Sequence, residues 1–200
     1  MVVAHSDDLP PMTEAEYLAF ADAQEFKYEY RQGRVVAMTG GSVRHGVITM
    51  SAGSHMDALL GERDCSVTSP DVRVHIASKS TYRYPDVTVF CGDPVYVDGR
   101  TDTIKNPVVL MEVLSPGTVL KDRNEKFDEY LQIESLQAYV LITQDTPKVE
   151  VFRRHTGGKW LYEVVTGLDA VIDVPLVDDE VSLSLAQIYK RVRWNDEGSA

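Results

Sequence analysis

The run VVLMEVL at residues 108–114 sets one carboxylate among large apolar neighbours. Burying Glu112 there ionised and unpartnered costs several kcal/mol or more, so a cation, a basic side chain or a proton must compensate it. A place at the strand end, with solvent or a Lys or Arg in reach, would meet the same need. A second carboxylate, Asp86, follows a proline in YPDVTVF. The proline fixes the backbone where the chain enters a strand, although Pro-Asp is also a common turn signal. If the two strands are neighbours, their carboxylates converge, and a hard, oxygen-preferring cation such as Mg2+ or Mn2+ relieves the repulsion. Asp122, Lys126 and Tyr130 are spaced four apart and share a helical face. Lys126 then either reaches the same point or forms a surface pair with Asp122.

These residues need a sheet and helices to position them. Thr13 and Glu16 form a capping-box pair that opens a short helix over 13–24. FKYEY and RVVAM flank a turn at Gly33 and read as a hairpin. Val47, Ile48, Met50, Met56, Leu59 and Leu60 recur at near-helical spacing, predicting a helix over 43–61. Strands are predicted at 71–77, 84–90 and 107–114, the last apolar enough to be buried on both faces. A helix over 119–134 follows, then strands at 137–143, 148–153 and 159–165 and a closing helix over 182–193. The central order αβββαβ implies a layered α/β arrangement with mixed strand pairing. Residues 13–193 read as a single domain between a flexible N-terminus, 1–12, and a flexible tail, 194–200.

YPDVTVF, PVVLMEVLSPGT and DRNEKFDEYLQIESLQAYVLIT together resemble the Uma-two-type endonuclease family, as do KYEYRQGRVVAM and VRHGVI upstream. That family is similar to the PD-(D/E)XK, restriction-endonuclease-like superfamily. The resemblance covers about residues 13–153 and implies a three-layer core with a central mixed sheet flanked by helices. It implies metal-dependent cleavage of DNA, with Asp86 and Glu112 as acidic metal ligands and the Val113 carbonyl completing the Mg2+ (or Mn2+) shell. The usual lysine position holds Leu114, and in families resembling this one the lysine is taken up by the next helix, which offers Lys126. Glu29 and His45 match further family positions; on the residues alone, one is an ordinary strand residue and the other a helix-start residue.

Composition bounds these readings. Two hundred residues at 44% apolar content fill one core, and a charged fraction of 26% is ordinary for a folded chain. The net charge of -11 repels phosphate backbones, so a DNA substrate needs a local basic groove. Lys27, Arg31, Arg34, Arg44, Arg73, Lys79 and Arg83 are concentrated in the first half, and a homodimer could align them along one cleft. Cys65 and Cys91 read as isolated thiols, neither a disulfide framework nor a zinc site, which fits a cytoplasmic chain. No apolar window approaches a membrane span, and no phosphate loop, HExxH or GxSxG is present. Two non-catalytic readings compete: a degenerate nuclease fold that binds nucleic acid or protein, and a structural oligomerisation module.

Overall fold

The structure, a computed structural model, describes residues 9–38, 40–115 and 122–194. The capping box forms: Glu16 N–H donates to Thr13 Oγ1 (3.3 Å), Thr13 N–H to Glu16 Oε2 (2.7 Å), and helix α1 runs Glu14–Asp22. Strands β1 (Tyr28–Arg31) and β2 (Arg34–Ala37) follow, joined through Gln32 and Gly33. Both turn residues have positive φ, 47° and 93°, as a two-residue hairpin requires. Helix α2 covers Val43–Leu60 and buries Ile48, Ala52, Met56 and Leu60 along one stripe.

The chain then makes β3 (Cys65–Thr68), β4 (Arg73–Ile76), β5 (Thr81–Arg83), β6 (Val87–Cys91), β7 (Thr103–Ile104) and β8 (Val109–Leu114). Helix α3 begins as a π-helical stretch, Asp122–Lys126, and continues as α-helix over Phe127–Tyr130. After it come β9 (Ala138–Thr143), β10 (Lys148–His155), β11 (Lys159–Thr166), β12 (Val171–Pro175), β13 (Glu180–Ser184) and a short α4 (Leu185–Ile188).

The central sheet has the order β11-β10-β9-β8-β6-β3, with β8 and β9 parallel and the other neighbours antiparallel. One face carries α2, the β12–β13 hairpin and α4 over a core that includes Met111, Val113, Val140 and Ile142. The opposite face, with Leu110, Leu114, Tyr139 and Leu141, is covered by Tyr130 and Ile133 and by strands of a second sheet, β2-β1-β5-β4-β7. This is the expected restriction-endonuclease-like core of three layers, and β8 is buried along its whole length.

Several elements depart from the sequence expectation. The αβββαβ unit is present as α2, β3, β6, β8, α3 and β9, but its first strand is β3, a polar segment that carried no strand prediction. The predicted 71–77 strand, as β4, pairs with β5 and β7 in the second sheet instead. The closing helix shrinks to α4, because Val181 and Leu183 alternate with exposed Glu180 and Ser182 and form a strand. Helix 119–134 ends at Tyr130, and its predicted start lies outside the described residues. Cys65 and Cys91, expected as isolated thiols, lie opposite each other in β3 and β6 and are joined as a disulfide. Only the strand register, invisible in the spacing of two distant cysteines, brings them together.

Candidate active site

Asp86 stands where the chain enters β6. The antiparallel register Val87↔Met111 places it level with Glu112 of β8, so the two strands are neighbours as the chemistry required. Asp86 Oδ2 accepts the Val113 N–H at 2.7 Å, and His45 Nε2 lies 3.1 Å from the same oxygen. His45 sits in the first turn of α2, where its N–H donates to the cap residue Ser42 Oγ at 3.1 Å. Ser42 Oγ in turn donates to Gln144 Oε1 (2.9 Å), and Gln144 Nε2 donates to the Leu114 carbonyl (2.8 Å). The start of α2 and the ends of β8 and β9 are thus tied around Asp86.

The Glu112 side chain is turned toward α3 and is only 4% exposed. Lys126 Nζ donates to Glu112 Oε1 at 2.8 Å and the Tyr130 hydroxyl donates to the same oxygen at 2.9 Å. Among the three compensations open to this carboxylate, the fold supplies a basic side chain. Burial, then the Glu112 charge, pushes the Tyr130 phenol well above its ordinary value, so it stays a neutral donor.

A second ring of charges backs this pair. Glu29 of β1 lies 4.0 Å from Lys126 Nζ and accepts from Arg83 Nη1 at 2.6 Å. Arg83, 1% exposed, also donates from Nε and Nη2 to the two oxygens of Glu129 at 2.8 and 3.0 Å. Arg31 Nε reaches Glu129 as well, at 2.9 Å. Burial acts to lower the Arg83 pKa, but the charge of Glu29 and the hydrogen bond and charge of Glu129 outweigh it, so the guanidinium is held above its ordinary value.

All five sequence candidates therefore enter two linked groups. Asp86 and His45 meet at the Val113 N–H; Glu112, Lys126 and Glu29 meet beside Tyr130. Lys126 is buried on Glu112 and is not a surface residue; the side chain of its alternative partner, Asp122, lies outside those described. Leu114, at the usual lysine position, packs in the apolar core. Most of the first-half cations are engaged by carboxylates within the chain. Arg83 is absorbed by Glu29 and Glu129, Arg73 is buried against Asp102, Lys27 pairs with Asp71, and Arg31 with Glu125 and Glu129.

Sequence reasoning missed Arg83, Glu129 and Gln144. The clue for Arg83 was its place three residues before Asp86, in TYRYPD, a segment whose strand is buried at every position. Among the described residues no group of three or more His, Cys, Asp and Glu side chains is spaced to hold a metal ion. A divalent cation here would rest on Asp86, Glu112 and a main-chain carbonyl such as that of Val113. Such a set fits Mg2+ or Mn2+, since every donor is a hard oxygen and such ions keep several waters.

The family model for Uma2, described as "Putative restriction endonuclease", matches residues 14–186. Two uncharacterised Synechocystis sp. proteins are similar over most of their length. The protein sll1609 is 33% identical over 173 residues (86% of this chain, 96% of that protein), and slr1290 is 34% identical over 163 residues (80% and 84%). A crystal structure from Anabaena variabilis, described as a "putative nuclease belonging to DUF820", superposes with a TM-score of 0.72 over 90% of this chain and 98% of that one, at 20% identity. At that identity the likeness is one of fold.

Proposed function

The chain belongs to the Uma2 family, and from that membership and the site geometry we propose that it is a metal-dependent endonuclease that hydrolyses phosphodiester bonds of DNA. The observation that carries the reading is the contact between Lys126 and Glu112. A buried lysine from α3 meets the acidic residue of β8 although Leu114 fills the usual lysine position. A merely structural strand residue would be apolar here, as the other five residues of β8 are.

Asp86 and Glu112, with the Val113 carbonyl, would hold Mg2+ or Mn2+, and the bound ion would acidify a water and offset charge on the phosphate. The protein's own groups do the remainder. His45 and the Val113 N–H fix the Asp86 carboxylate. Tyr130 and Lys126 fix Glu112, and the Lys126 ammonium is placed to stabilise negative charge growing on the scissile group. Glu29, itself held by Arg83, orients Lys126 from behind. The reading carries with it a homodimer presenting one site to each strand. Among the described residues, no helix is long and apolar enough to cross a membrane.

The test is incubation of the purified chain with supercoiled and single-stranded DNA in Mg2+, Mn2+ or EDTA. Cleavage is expected with either metal and not with EDTA, and it should vanish in Asp86→Asn and Glu112→Gln proteins that still unfold cooperatively. A fully active Glu112→Gln protein would eliminate the reading.

A further inference from the structure

Resting on the nuclease reading, we propose that the outer face of α2 and the segment after α4 form the track for the sugar-phosphate backbone of the DNA strand entering the site, with Lys190 and Arg191 as its phosphate contacts. A chain of net charge -11 needs such a place, and most cations of the first half cannot supply it because carboxylates already hold them. Lys190, Arg191 and Arg193 are different. They fill three of four consecutive positions, all are exposed, and among the described residues no carboxylate lies within salt-bridge distance of them.

The segment is also fixed. Tyr189, immediately before Lys190, is buried, and its hydroxyl shares its one proton between the carbonyls of Thr143 (2.8 Å) and Lys148 (2.9 Å) at the end of the central sheet. Trp194 packs on the Tyr189 ring, and Arg44 of α2 donates to the Arg193 carbonyl at 3.3 Å. The cations thus project from a segment anchored to the core, which lowers the entropy lost when they bind.

A path leads from them to the site. Lys190 and Arg191 border a hollow of about 540 Å³ whose floor is the exposed side of α2, with Val43, Gly46, Val47 and Met50. A second hollow of about 300 Å³ shares Met50 and Ser54 with the first and ends at Asp86. Asp57 and Asp86 border this inner hollow, so phosphates are favoured at the Lys190–Arg191 end and, inside, only where a cation offsets Asp86. The apolar floor between suits sugars and base faces. Charge complementarity at one end and continuity with Asp86 at the other select a nucleic-acid strand over an apolar protein partner.

Binding is the measurement, read by fluorescence anisotropy of a labelled 20-mer with the full chain in an Asp86→Asn background, so that it is independent of cutting. Lys190→Glu/Arg191→Glu is expected to weaken binding about tenfold or more near 100 mM salt and to lower the salt slope by about 2. Arg34→Glu/Lys159→Glu, with the same charge change elsewhere, should have a much smaller effect. A Cβ at Gly46 meets nothing within 4 Å, so Gly46→Phe should fill the hollow and weaken binding without loss of thermal stability. Unchanged affinity in both the charge-reversed and Gly46→Phe proteins overturns the track, as does a parent protein that binds no oligonucleotide. Loss of a dimer in sedimentation by the charge-reversed protein, with affinity intact, overturns it too and makes the face a contact between copies. Failure of the nuclease reading appears separately, as absence of metal-dependent cleavage by the wild-type chain.

Discussion

Replacing Arg83 by Met should unfold more of the protein's stability than any surface change. The side chain sits between Glu29 and Glu129 with all three groups at most 5% exposed, and its three N–H bonds to their oxygens span 2.6 to 3.0 Å. Removing one partner of a buried pair costs about 3–5 kcal/mol, because the remaining charge is stranded. Here each carboxylate retains one cation, Arg31 at 2.9 Å from Glu129 and Lys126 at 4.0 Å from Glu29, which places the expected loss near the lower bound, about 3 kcal/mol. At about 2–4 °C per kcal/mol for a chain of this size, Tm should fall by about 6–12 °C. Arg83 is held charged throughout the accessible pH range, so wild-type Arg83 contributes no pH dependence of its own near neutrality. Urea titrations measure the loss, and Arg83→Met/Glu29→Gln/Glu129→Gln should recover much of it. An Arg83→Met protein within about 1 kcal/mol of wild type at pH 8 would refute the claim that this arginine anchors the second sheet to α3.

Other outcomes follow from the same structure. Lys126→Met should reduce cleavage about 100-fold or more while leaving oligonucleotide affinity within a few-fold, as read from kcat against binding; equal losses in both would mean the lysine only holds the fold. The Cys65–Cys91 bond closes a loop with a sequence separation of 26, so its reduction should cost up to about 3.5 kcal/mol, read from urea midpoints with and without reductant. Reaction of both thiols in the unreduced native protein would contradict the bond. Tyr17, Tyr82, Tyr130 and Tyr189 are all raised chiefly by burial, favouring the neutral phenol in the fold. Their contribution is complete below the ordinary phenol value of about 10 and lost as pH rises toward the raised values. Their ionisation, followed by ultraviolet absorbance, should therefore coincide with alkaline unfolding followed by circular dichroism, and not precede it.

The sequence by itself determined the hydrophobic strands, the two long-range carboxylates and the resemblance on which the site rests. VVLMEVL announces a buried strand because six apolar residues among seven suit a position covered on both faces, and the lone Glu within it announces a compensating partner. The capping box of α1 and the Gln32–Gly33 turn were equally legible, since both are settled by bonds within a few residues. What only the tertiary structure decided were matters of register and of which sheet a strand joins. Cys65 meets Cys91, β4 leaves the central sheet to polar β3, and Arg83 enters the core against Glu29 and Glu129, because pairing partners lie 26 to 54 residues apart in the chain. Local spacing carries no information about such distances. Lys126 shows both halves of the lesson: its helical placement beside Tyr130 was readable, whereas its contact with Glu112 depended on how α3 lies across β8.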